Sequence, residues 1–126
     1  MIFLELRKKF LEAGIPYDEL DVELIEVLDL LNFKLGIKTK YCCCGHKEFD
    51  RFYIMFHEDE SFEKIENFAE EIVKRMKRFT FNYWVRSVGS DSQYRVLKNW
   101  VCETTLINTK RRKEVIDEFT SIMNKM

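Results

Sequence analysis

Cys42, Cys43, Cys44, Gly45 and His46 hold the densest chemistry in the chain. Thiolate and imidazole are preferred zinc ligands, and a thiol beside an imidazole is the minimal nucleophile–base pair. For zinc, Cys42 and Cys44 share parity on a strand and face the same way. His46 lies just beyond them, and Cys102 or His57 would have to complete the set. Common zinc knuckles space their cysteines by roughly two to four residues, and no second close pair exists here. The spacing therefore predicts no zinc, and no cofactor is expected. For catalysis, His46 would have to fold back over Gly45 and hold Cys43 or Cys44 as a thiolate. The plainest reading is structural. Free cysteine is among the most buried residue types, Gly45 permits a positive φ at a strand exit, and His46 can bond the loop backbone. The sequence leaves these three readings open, with a non-enzymatic role in front.

A second cluster, Lys110-Arg111-Arg112-Lys113, falls at the start of the last expected helix. Cations there oppose the helix dipole, at about 0.3–1 kcal/mol each on an exposed surface. Free N–H groups at a helix start attract anions, so Arg111 and Arg112 are candidate contacts for a phosphate or carboxylate. Arg86 and Arg95, on the preceding strands, are further candidates. The alternative is a set of solvated side chains screened by salt. Four consecutive residues also fan round a helix, so not all can reach one anion.

The elements that must position these groups follow from periodicity. Residues 2–13 read as a short amphipathic helix stopped by Gly14 and Pro16. Asp18 is placed to cap a second helix whose stripe is Leu20, Leu24, Val27, Leu28, Leu31 and Leu35, ended by Gly36. Residues 37–43 and 52–57 read as strands, with a plain loop between them. A helix follows from Ser61 to Phe79. Residues 81–88 and 93–103 read as a hairpin closed by a Gly-Ser-Asp-Ser turn. The last helix spans Thr109 to Asn124. The expectation is a single α+β domain, 1–126, in the order α-α-β-β-α-β-β-α. It has one four-stranded antiparallel sheet made from two hairpins, with helices packed on one face. The other face is then open, with Tyr53, Trp84, Trp100 and arginines to line it.

Composition narrows the partners. The chain has 126 residues, 46% of them apolar, and a formal net charge of −1. That balance argues against generic nucleic-acid binding, which draws on a basic excess. No apolar run approaches the about 20 residues of a membrane span. The first ten residues carry charges too early for a signal peptide. The expected location is the cytoplasm, the host's if a phage encodes the chain, with the four cysteines reduced.

The pattern Leu31-Asn32, Gly36, Thr39, Cys43, Gly45-His46, followed by Tyr53, Ile54 and Phe56, resembles a group of small proteins of bacteria and their phages. That resemblance carries no assigned activity. A fainter local likeness is to the wybutosine-synthesis methyltransferases that act on transfer RNA. Thr39, Cys43 and Gly45 match their Thr-Thr-Ser-Ser-Cys-Ser-Gly-Arg stretch, while Tyr41 and Cys42 replace serines and His46 replaces the arginine.

The reading that unites these features is a non-catalytic binder of an anionic, nucleotide-like small molecule. Its expected site is Tyr41, Cys43, Gly45, His46, Tyr53 and Trp84, with charge from Arg86, Arg95, Arg111 and Arg112. A phage-type version would sequester a host signalling nucleotide or counter host defence. Two readings compete with it. One is a thiol-dependent or RNA-modifying enzyme built on Cys43 and His46. The other is an inhibitor or homodimer that buries the open face against a host protein or a second copy.

Overall fold

The computed structural model describes residues 2–77, 79–90 and 93–126, without the side chains of Ile2, Phe3 and Tyr41. Asp91 and Ser92 of the expected turn lie outside the described residues.

Helix α1 (Ile2–Glu12) ends at Gly14, whose φ of 80° reverses the chain. Asp18 does not cap the next helix. It lies in a short 3-10 turn, Tyr17–Glu19, and its carboxylate accepts both arms of Arg7 at 2.8 and 3.0 Å. Helix α2 (Val22–Asp29) therefore starts later than its stripe suggests, then widens into a π-helical turn over Leu30–Lys34. That turn delivers Asn32 to the following strand. Its Nδ2 donates to Leu28 O at 2.9 Å and to Thr39 Oγ1 at 3.0 Å, and its Oδ1 accepts the Thr39 N–H at 3.1 Å. Gly36, at φ 66°, turns the chain between them. The Asn32–Thr39 spacing is thus a clip that joins α2 to the sheet.

The main sheet has four strands, β1 (Thr39–Cys43), β3 (Tyr53–Phe56), β4 (Phe79–Ser90) and β5 (Gln93–Thr104). Their order is β1-β3-β5-β4, and every neighbouring pair is antiparallel. Cys42, Ile54, Cys102 and Phe81 form one cross-strand row. That row faces the helices, and Ile54 and Cys102 are fully buried. The next row, Cys43, Tyr53, Glu103 and Thr80, faces the other way by strand alternation. Helices α2, α3 (Phe62–Val73) and α4 (Thr109–Asn124) close the core over the first face with Leu24, Leu28, Ile65, Ile72, Phe119 and Met123. Phe119 meets Phe52, Phe68 and Phe79 at centroid distances of 5.0–6.3 Å.

The α+β class stands, but a single four-stranded sheet from two hairpins is not the architecture. The expected plain loop contains β2 (Phe49–Asp50), which leaves the main sheet and pairs antiparallel with β6 (Ile107–Asn108). This makes a second, two-stranded sheet, and β6 runs directly into α4. Two-residue strands carry no hydrophobic period, so periodicity gives no sign of them. Helix α3 is also shorter than expected. It ends at Val73, and Phe79 instead opens β4, where it is buried against Phe52 at 5.9 Å. Among the described residues, no helix is long and apolar enough to cross a membrane.

Replacing Asn32 with Ala removes both donors and leaves the Thr39 N–H unpartnered in a part-buried site. The expected loss is about 1–3 kcal/mol of stability, read from urea unfolding.

Candidate functional site

The sulfur-rich turn is built around hydrogen bonds. The Cys43 sulfur accepts the Gly45 N–H at 3.3 Å, and Gly45 has φ 89°. The Cys44 thiol donates to Asp21 Oδ2 at 3.1 Å. The His46 N–H donates to Asp50 Oδ2 at 3.2 Å, while its imidazole Nε2 lies 3.5 Å from Asp21 Oδ2. Burial pushes the Cys42 thiol up to about 12, helped by the Asp21 charge. Burial and the Asp21 carboxylate push Cys44 up to about 12 as well. Cys102, fully buried, is also raised well above the ordinary thiol value. Raised in this way, these three sulfurs favour the neutral thiol, which is a poor nucleophile. Cys43 points to the opposite face. His46 turns toward Asp21, so its imidazole and the Cys44 thiol meet at the same carboxylate oxygen. Among the described residues, no group of three or more His, Cys, Asp or Glu side chains is arranged to hold a metal ion.

Arg112 explains why the turn has its shape. Only 3% exposed, it reaches from the first turn of α4 beneath the loop. One arm donates to Ile107 O at 2.6 Å, Glu48 O at 3.1 Å and Asp50 O at 3.4 Å. The other donates to Lys47 O at 2.6 Å and Thr109 Oγ1 at 3.1 Å. A Cβ on Gly45 would sit 2.5 Å from Arg112 Nε and 2.9 Å from its Cδ. Gly45 is therefore required twice, by its positive φ and by the guanidinium packed against it. Arg112 is committed to backbone carbonyls. Arg111 is solvent-facing and pairs with Glu114 at 2.5 Å. The run at the start of α4 thus splits between a structural cation and an ion-paired one.

The open sheet face carries a different site. A cavity of about 310 Å³ is lined by Arg51, Tyr53, Met55, Trp84, Arg86 and Glu103. Trp84 remains 37% exposed beside it. Arg51 donates to Glu103 Oε1 at 2.9 Å, forming an ion pair. Arg86 lies over Met55, its terminal nitrogen 3.5 Å from the sulfur. Its Nε is buried and has no hydrogen-bond partner, and no carboxylate pairs with it among the described residues. Tyr53 and Trp84 supply flat apolar walls, Arg86 an unpaired cation, and Glu103 a carboxylate with capacity left over.

Of the residues singled out by sequence, the structure gathers Tyr53, Trp84 and Arg86 at this cavity. Arg95 shares their face one step further out, opposite Val88, and is exposed. Cys43 is in register with Tyr53, and Tyr41 with Met55, although the Tyr41 side chain lies outside the described residues. Gly45 and His46 belong to the neighbouring turn. Trp100 is on the helix side, against Phe62 at 5.0 Å and Tyr83 at 5.4 Å. Sequence reasoning missed Arg51, Met55 and Glu103. Glu103 had a signal: it follows Cys102 on a strand, so a buried Cys102 turns it outward.

The family described as YoqC prophage protein matches the chain over residues 8–124. That agrees with the resemblance to small phage proteins. Comparison with curated proteins and with solved structures gives no match.

Two outcomes follow from this geometry. Gly45→Val should cost roughly 1–3 kcal/mol from backbone strain alone, and Arg112→Glu at least about 3 kcal/mol, because an acid would face the carbonyls that the guanidinium now satisfies. Chemical unfolding of the two variants checks both figures. Alkylation tests the thiols. At pH 8, Cys42, Cys44 and Cys102 should react with iodoacetamide far more slowly than a model thiol, and the Cys42 and Cys44 rates should rise with pH toward about 12. Mass mapping of a time course reads this out.

Proposed function

The chain belongs to the YoqC prophage protein family, and we propose that it binds an anionic, nucleotide-like small molecule at the outer-face cavity without transforming it. The observation that carries this reading is Arg86. A guanidinium with a buried, unpartnered Nε and no ion pair among the described residues is a costly arrangement for a protein to maintain. An anion in the cavity would pair with the guanidinium charge, and Arg forks suit phosphate and carboxylate oxygens. Tyr53 and Trp84 favour a flat ligand, since base–aromatic stacking contributes about 1–3 kcal/mol per base. A cavity of about 310 Å³ sits at the lower end of small-molecule sites and suits one base with its phosphate group rather than a long polymer. In a prophage protein, such a binder would sequester a host signalling nucleotide and so counter host defence.

One observation favours the competing reading of an interaction module. The end of the β4–β5 ribbon leaves Val85, Tyr94 and Val96 exposed, all on the face that carries the helix layer further in. Light scattering separates the two. A dimer broken by Val96→Asp, together with no nucleotide binding, would favour the interaction reading.

The direct test is calorimetric titration against nucleoside monophosphates at two salt concentrations. Arg86→Met should weaken binding at least tenfold, about 1.4 kcal/mol, with the fold intact. Arg111→Glu should leave binding unchanged, because that residue lies away from the cavity. Higher salt should weaken wild-type binding more than it weakens the Arg86 variant. Absence of binding by every nucleotide would overturn the proposal.

A further inference from the structure

We infer that Glu103 selects the base of the ligand, and that the cavity takes a guanine nucleotide in preference to a uracil one; this rests on the nucleotide reading above. The cavity is lined by charges of both signs, Arg86 on β4 and Glu103 on β5, and Arg86 pairs in register with Leu97 rather than with Glu103. A ligand that is anionic throughout would meet repulsion at Glu103. The complementary ligand is anionic at one end and rich in N–H donors at the other.

Glu103 is built for that second role. Its side chain is only 14% exposed, and Oε1 accepts from Arg51 at 2.9 Å. An ionised carboxylate has about four acceptor sites, so one bond from Arg51 leaves most of them open. Oε2 receives no donor among the described residues. The strand beneath is rigid, because Glu103 is paired on both sides, with Tyr53 and with Thr80. Arg51 holds the carboxylate in one orientation, as a well-placed recognition group needs. Guanine presents two adjacent N–H donors, from its ring nitrogen and its amino group, and these match a carboxylate. Uracil presents one N–H between two carbonyl oxygens, which would face the carboxylate unfavourably. Cytosine and adenine each offer an amino group with an acceptor nitrogen beside it and fall between.

Titration of the four ribonucleoside monophosphates and inosine monophosphate into the wild-type and Glu103→Gln proteins tests this. In the wild type, guanosine monophosphate should bind at least about tenfold more tightly than uridine monophosphate, in line with the discrimination a bidentate pair gives. Inosine monophosphate, which lacks the amino group, should bind several-fold more weakly than guanosine monophosphate. In Glu103→Gln the amide oxygen keeps the Arg51 bond and the NH2 faces the cavity. The guanine preference should then vanish or reverse toward uracil, while Arg86 still holds the phosphate. A purely structural role for Glu103 would weaken all nucleotides alike and would overturn the inference. Equal binding of the guanosine and inosine ligands by the wild type would overturn it even if the variant failed to fold. Binding of all bases with equal affinity would remove the base selection and leave the nucleotide reading standing. Binding of none would remove both.

Discussion

The buried guanidinium of Arg112 is the constraint on which the rest of the site depends. A tight loop between two strands points several carbonyls inward, where water cannot reach them all. Arg112 supplies donors to the carbonyls of Lys47, Glu48, Asp50 and Ile107 at once. It thereby ties the turn after β1, the two-stranded sheet and the start of α4 into one unit. Gly45 is the consequence in sequence, since only a residue without Cβ lets the guanidinium approach so closely. The cost of a cation at a helix start is offset by these bonds, each stronger than a neutral one.

That anchored loop has an outward effect. Arg51 and Tyr53 follow directly from Asp50, whose carboxylate accepts the N–H groups of Arg51 at 2.9 Å and His46 at 3.2 Å. These bonds, that of Arg51 first, hold the Asp50 carboxyl below the usual carboxylate range. The loop therefore sets where Arg51 leaves the backbone, and so where its ion pair with Glu103 lies. Strand alternation then separates two chemistries across one sheet. Phe81, Ile54 and Cys102 fill the core on one side, while Trp84, Arg86, Tyr53 and Glu103 collect on the other. The sulfur-rich turn lies next to the cavity, with the Cys42 and Cys44 thiols pushed up by burial and the Asp21 carboxylate.

Much of this organisation is readable from residue order because it follows local rules. The helical stripes of α2 and α4 lie inward as their spacing demands, that of α3 does so at Ile65, Ala69 and Ile72 but leaves Phe62 and Val73 exposed, and Gly14 and Gly36 stop the chain where positive φ is needed. The features that escaped depend on register or on distant partners. Trp84 and Trp100 look alike in sequence, yet Trp84 pairs with Asn99 and Trp100 with Tyr83, which places them on opposite faces. Arg112 reads as an anion contact, or else a solvated helix-start cation, until the loop carbonyls 62 to 65 positions away are brought to it. Strands β2 and β6 are too short to show a period. Tyr53, Trp84 and Arg86 were legible as an aromatic and cationic group on an open face, whereas the outward turn of Glu103 was legible from Cys102 but its place beside Tyr53 required the pairing of β3 with β5.

The central claim is that the unpaired Arg86 guanidinium is an anion receptor. Nuclear magnetic resonance of arginine side chains observes its Nε–H directly during titration with guanosine monophosphate. The account predicts a saturating shift of the Arg86 Nε–H signal, accompanied by the Met55 methyl beneath it and the Trp84 indole beside it, with the Arg111 and Arg112 signals unmoved. Saturating shifts confined to Arg111 and the start of α4, with Arg86 unchanged, would contradict it.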